Sequence, residues 1–273
     1  MGDRDPNQLS FAGLQFQAVQ VASANHVLSV TLNRPARKNA INEVMANELI
    51  FALDVAAVDP EIRVVVLQAA GEVFCSGGDL SAMSGVREEV TSTVPKRGEL
   101  HDLSLRLRDV HKPVICKVQG PVLAGALMLV CNATHVIAAD HVTFSAPEIK
   151  RGLWPHMVMA GLFRVMPRRA ALDFIMRGYK LDAGEAVRLG LANRAVPAAD
   201  LDQTVAALAT ELAALAPATV RLGLEAFYAQ EDLPFAEAIP FLMGKLAETI
   251  ATEDAREGIM AFMQKRTPVW KGR

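Results

Sequence analysis

At 273 residues, with 51% apolar and 21% charged residues, the chain has the composition of a folded globular protein with a large core. A formal net charge of −2, with no run of Lys/Arg interleaved with aromatics, argues against nucleic acid as a partner. Cys75, Cys116 and Cys131 are odd in number and lack C-x-x-C spacing, which excludes a complete disulfide framework and fits buried thiols in a reducing compartment.

Residues 1–13, MGDRDPNQLSFAG, read as a polar leader without the basic start and apolar run of a signal peptide. No apolar stretch reaches membrane-spanning length, so a cytoplasmic location and no membrane partner are expected. Residues 14–21 and Val27–Leu32 alternate like two strands of a hairpin, the second stopped at Pro35 because proline cannot donate to a ladder. Asn42 is placed to cap a helix reaching Val58, with Met45, Leu49 and Leu53 along one face. The β-branched run 64–67 reads as a strand buried on both faces. It leads through Gly71 into Phe74-Cys75-Ser76-Gly77-Gly78-Asp79-Leu80, a glycine turn opening a helix.

Residues 84–97 are charged and aperiodic, and are expected to form a mobile loop or irregular helix; residues 99–110 return to helix. Val114–Val118 is the next strand, ended by Gly120-Pro121, and a second glycine turn opens a helix at Gly125 that meets no breaker before Asn132. The same sequence of parts, buried strand, glycine turn and helix, thus occurs twice. Short strands at 134–138 and Thr143–Ser145 then deliver a lone carboxylate, Glu148, between Pro147 and Ile149. Helices are expected over 159–166, 170–177 and, capped by Asp182, 183–189, with a last strand at Arg194–Val196. From Asp200 onward the pattern is helical, broken at Pro217, Pro234 and near Thr252.

Free backbone N–H groups at Gly78 and Gly125 would form an oxyanion hole if the two turns meet, since glycine allows a close approach to the backbone. Burial would raise the pKa of Glu148 into the range of a general acid–base, the competing reading being an ion pair with Lys150 or Arg151. His156 is a second candidate, balanced against simple packing beside Trp154. The other histidines have no metal-ligand spacing, so no metal is expected. Ser76 is not in a G-x-S-x-G elbow, and neither glycine turn fits a Walker A loop or a dinucleotide fingerprint.

Taken in order, LNRPARKNAIN (32–42), FCSGGDLSAM (74–83), KPVICKVQGPVLAGA (112–126), FSAPEIKRGLWP (144–155), RGYKLDAGEAVRLGLANRAVP (177–197) and EDAREGIMAFMQKRTPVW (253–270) resemble the motifs of the enoyl-CoA hydratase/isomerase, or crotonase, family. The resemblance implies an α/β fold, a right-handed spiral of ββα units over 14–200, with a C-terminal helical trimerisation region over 201–273. It implies trimers or dimers of trimers acting on an acyl-CoA thioester, with coenzyme A entering as part of the substrate and no separate cofactor. By the same resemblance, Gly78 and Gly125 polarise the thioester carbonyl and Glu148 transfers a proton. Arg37, Lys38, Ala40, Ser76, Asp79 and Leu80 match parts that hold the substrate, as do Trp154, His156, Phe262 and Lys265.

One departure matters. Hydratases of the family typically carry a second glutamate three residues beyond the oxyanion glycine, and that position here is Met128. Overall similarity favours a hydratase, whereas the single acid favours one-base isomerase chemistry. A non-catalytic acyl-thioester-binding protein is a third reading, because binding features outlast a lost acid.

Overall fold

The structure is a computed structural model, and it describes residues 9–85 and 88–273. A hairpin, β1 (Val19–Ala24) with β2 (Val27–Leu32), starts a six-stranded sheet. The sheet continues in parallel through β3 (Val64–Ala69), β4 (Val114–Val118), β6 (His135–Ala139) and β9 (Arg194–Val196). A smaller sheet holds β5 (Val122–Leu123), β7 (Thr143–Ser145) and β8 (Lys180–Asp182). Helix α1 (Glu43–Val58) joins β2 to β3, and α2 (Leu80–Met83) and α3 (Leu103–Asp109) lie between β3 and β4. Helix α4 (Leu127–Cys131) follows β5; α5 (His156–Val165) and α6 (Arg168–Arg177) follow β7; α7 (Ala183–Arg188) follows β8. Two successive turns, β4–β5–α4 and β6–β7–α5, place one strand in the large sheet, one short strand in the small sheet, and then a helix. This is a spiral of ββα units, wound right-handed as parallel crossovers are.

Helix α1 begins where the sequence places it. The Asn42 side chain accepts from Met45 N at 2.9 Å, a cap that contributes about 1 kcal/mol. The helix is buried on nearly all sides rather than on one face, including Asn47, Glu48 and Asp54. Glu48 is fully buried and accepts from Gln17 N, Ala18 N and Val19 N at 2.7–3.0 Å. The amides of Gln17 and Ala18 are thus taken by a side chain rather than a strand partner, and β1 starts at Val19 rather than at residue 14.

The segment expected to be mobile is fixed over much of its length. Residues 88–97 contain no helix, and they strap across α1: Asn47 accepts from Arg97 N at 2.6 Å, and Arg97 Nε donates to Asp54 at 2.9 Å. Val94 is buried, and Thr93 N donates to Gln15 O at 3.0 Å. Val86 and Arg87 lie outside the described residues. The first eight residues of the leader also lie outside them, but its end is not a free polar segment: Phe11 packs edge-on against Phe51 at 6.4 Å.

The C-terminal region is α8 (Leu201–Ala213), α9 (Pro217–Gln230), α10 (Phe235–Ile250) and α11 (Glu253–Gln264), with breaks at the anticipated places. Asp254, fully buried, ties the end of the chain to these helices: its oxygens accept from Ala218 N at 3.0 Å, Lys271 N at 2.7 Å and Gly272 N at 3.0 Å. Among the described residues no single helix is long and apolar enough to cross a membrane.

Candidate active site

The two glycine turns meet. Cys75 forms an isolated parallel bridge with Val122, in which Leu123 N donates to Cys75 O at 3.0 Å. This docks the segment after β3 onto β5. Gly77 has φ +94°, and a Cβ built on it would lie 2.8 Å from Gly125 N, so only glycine fits there. A Cβ on Gly125 would lie 3.3 Å from Gly78 N, which sets the two candidate donors side by side. Among the described residues Gly78 N has no hydrogen-bond acceptor. Gly125 lies in the 3-10 turn Ala124–Ala126 that opens α4, where first-turn amides have no partner within the helix. Ala124 holds φ +54°, a left-handed conformation costing an alanine about 1 kcal/mol or more.

Register brings Glu148 to the same end. The parallel pairs Cys75–Val122 and Val122–Phe144 align three chain segments running the same way. Gly78 is three residues beyond Cys75, Gly125 is three beyond Val122, and Glu148 is four beyond Phe144. Pro147 begins a 3-10 turn, Pro147–Arg151, closed by Gly152 at φ +72°. In it, Glu148 Oε2 is buried and has no hydrogen-bond partner among the described residues. Burial pushes the Glu148 carboxyl above its usual range, opposed by its own backbone amide and by the charge of Arg151. No ion pair joins Glu148 to Lys150 or Arg151 among the described residues.

The neighbouring positions differ in what they offer. Met128 is only 2% exposed, one turn into the helix that Gly125 opens, and a thioether there moves no proton. His156 is the exposed first residue of α5; Trp154, half-buried, packs against the core. Leu80, Leu153 and Met157 expose apolar side chains on the segments adjoining the turns. Arg37 is exposed, with a 3.6 Å contact to Glu88, and Lys38 is exposed with its carbonyl accepting from Ser76 N at 3.0 Å. Ser76 and Ala40 are half-buried. Phe262 (85% exposed) and Lys265 lie at the end of α11, outside the strand register that aligns the glycine turns with Glu148.

Asp79 is largely buried, and its carboxylate is committed to the scaffold. It accepts from Ser81 N and Ala82 N as the cap of α2, and from Arg34 at 3.0 and 3.1 Å. Burial opposes ionisation there, but Arg34 and the helix amides hold the carboxyl below its usual range. Arg34 also donates to Ala40 O and, at 2.6 and 2.7 Å, to Glu88. Fully buried Asn39 accepts from Arg34 N at 2.9 Å and donates to Ala70 O and Val73 O at 2.8 Å. Arg34 and Asn39 thus clamp the loop after β2 onto the turn carrying Gly78. Both residues stand inside the 32–42 motif, where no local pattern marks either as a clamp.

Among the described residues no group of three or more His, Cys, Asp or Glu could hold a metal ion. The family model described as enoyl-CoA hydratase/isomerase matches residues 22–273. A probable enoyl-CoA hydratase of Mycobacterium leprae is 31% identical over 93% of this chain and 98% of its own. A carnitinyl-CoA dehydratase of Proteus mirabilis is 31% identical over 94% and 99%. Among solved structures, an enoyl-CoA hydratase of Mycobacterium smegmatis superposes with a TM-score of 0.85 at 30% identity, covering 93% of this chain and 99% of that one.

Proposed function

The chain belongs to the enoyl-CoA hydratase/isomerase family, with the crotonase fold, and from that premise we propose one-base proton transfer beside an acyl-CoA thioester, with migration of a 3,4 double bond to the 2,3 position. The observation that carries the reading is the buried, unpartnered Oε2 of Glu148 at the strand ends that also present Gly78 and Gly125, with Met128 where a second acid would stand.

In this mechanism the thioester oxygen accepts hydrogen bonds from Gly78 N and Gly125 N. The Glu148 carboxylate takes a proton from C2, and the electron pair delocalises into the carbonyl as an enolate conjugated with the 3,4 double bond. The protonated Glu148 returns the proton to C4, the 2,3 double bond forms and the carbonyl is restored. Nothing is consumed, and one carboxyl serves both steps. Burial, which raises the pKa, makes the Glu148 carboxylate a stronger base toward C2–H than an exposed one, and the same carboxyl then holds the proton it returns. The scheme needs no metal or redox cofactor; coenzyme A enters with the substrate. Hydration is the second reading, supported by the names of the relatives, and it requires a group other than Met128 to handle the second proton.

A face of α10 supports self-association into a trimer or dimer of trimers. Phe235, Ile239, Met243, Leu246 and Ile250 recur at helical spacing, and each is 49–82% exposed. A cytoplasmic location fits the three free, buried cysteines.

The test is Glu148→Gln. Turnover of a 3-enoyl-CoA should fall at least a hundredfold while acyl-CoA binding is retained. Unchanged turnover would remove Glu148 from the mechanism; tight binding without turnover by either protein would favour a thioester-binding role.

A further inference from the structure

A second concave site lies at the other end of the large sheet. A cavity of about 260 Å³ is bounded by the end of α1, the residues entering β3 and β4, and the corner between α8 and α9. The glycine turns and Glu148 follow the carboxyl ends of their strands, whereas Arg63 and Lys112 of this cavity precede the amino ends of β3 and β4.

Its lining combines two chemistries. Arg63, His111, Lys112 and Arg221 supply basic groups, and Val58, Ile62, Leu215 and Val220 supply an apolar wall. Two acids, Asp59 and Glu225, offset part of this charge. Asp59 acts on Lys112, but its Oδ1 accepts from Glu61 N at 2.9 Å, and Lys112 Nζ donates to the Asp59 carbonyl at 2.6 Å. Glu225 is 3.9 Å from Arg221 and 2.8 Å from Lys245, a lysine it shares with Glu248 at 2.9 Å.

A separate observation also points to an acceptor. Arg63 donates from Nη1 to Ala213 O at 3.2 Å, yet its Nε is buried with no partner among the described residues. A guanidinium N–H withdrawn from water without an acceptor is costly, and an anion in the cavity that Arg63 lines would offset that cost through the charge of the guanidinium as a whole. Burial, with the charge of Arg221, pulls Lys112 down to about 8 against the opposing effect of Asp59. Lys112 is thus desolvated and crowded by a second cation.

We propose that this cavity binds a small organic monocarboxylate with an apolar body, the carboxylate meeting Arg63, Lys112 and Arg221 and the body lying on Val58, Ile62, Leu215 and Val220. The volume is larger than the roughly 150 Å³ that accommodates benzene and below the 300 Å³ or so at which pockets for drug-sized ligands begin, which limits the ligand to about a dozen heavy atoms. This site is independent of the thioester chemistry.

The experiment is calorimetric titration of the full chain with octanoate, with saturating octanoyl-CoA present to fill any thioester site. One octanoate should bind per chain, Arg221→Glu should weaken it at least tenfold, and Leu215→Trp, which fills the cavity from an exposed position, should abolish it. Inorganic phosphate should bind at least tenfold more weakly than octanoate. No octanoate binding, binding displaced by octanoyl-CoA, or binding indifferent to both substitutions would overturn the proposal. Phosphate binding as tight as octanoate would overturn the apolar half of it.

Discussion

Gly125→Ala adds one methyl group beside the two proposed donors. Its Cβ would lie 3.3 Å from Gly78 N, where an accepting oxygen would need to sit about 2.7–3.2 Å from the same nitrogen. Methyl and oxygen therefore compete for one space. The scaffold should tolerate the change, because the next contacts, Gly77 Cα at 3.7 Å and Gly77 C at 3.9 Å, are ordinary and Gly125 has no positive φ. Loss of one oxyanion donor costs about 10²–10³ in turnover, or about 2.7–4 kcal/mol. The assay is double-bond migration in a 3-enoyl-CoA, with the melting temperature measured in parallel. Gly77→Ala is the contrast: φ +94° and a 2.8 Å approach to Gly125 N mean that it should lower the melting temperature itself. A folded Gly125→Ala protein with activity within a few fold of wild type would refute the oxyanion assignment.

Glu148 carries a stability prediction. Its folded pKa is raised by burial, so the folded state favours the protonated form, and the disadvantage of the charged form grows as pH rises from the unfolded value, about 4.3, through the folded one. Glu148→Gln should be more stable than wild type at neutral pH, and the gap should close below about pH 4 in melts across pH; a gap that widens on acidification would contradict the burial argument. For assembly, Met243→Glu puts a charge in the middle of the exposed α10 row; light scattering should show dissociation to smaller species, and an unchanged mass would take that face out of the interface.

Local signals revealed much of this structure because they act locally. The Asn42 and Asp182 caps, the breaks at Pro217 and Pro234, and the β-branched run of β3 depend on residues within a turn of where they act. What escaped depends on contacts distant in the chain. Glu48 takes the amides of residues 17 and 18, about thirty residues away, and Asn47 and Asp54 fasten a charged segment that has no period of its own. Strands β5 and β8 have two and three residues, too short to show alternation. At the site, the glycines and Glu148 could be named from the sequence, but their meeting rests on the Cys75–Val122–Phe144 register. The Arg34–Asp79 clamp spans 45 residues and has no periodic signature.

The most direct test gives the purified protein a 2-enoyl-CoA and a 3-enoyl-CoA in parallel, following hydration and double-bond migration separately. One-base chemistry through Glu148 predicts migration in the 3-enoyl-CoA and much slower hydration of the 2-enoyl-CoA. Rapid hydration with no migration would contradict it, and would require a second proton-transfer group in addition to Glu148.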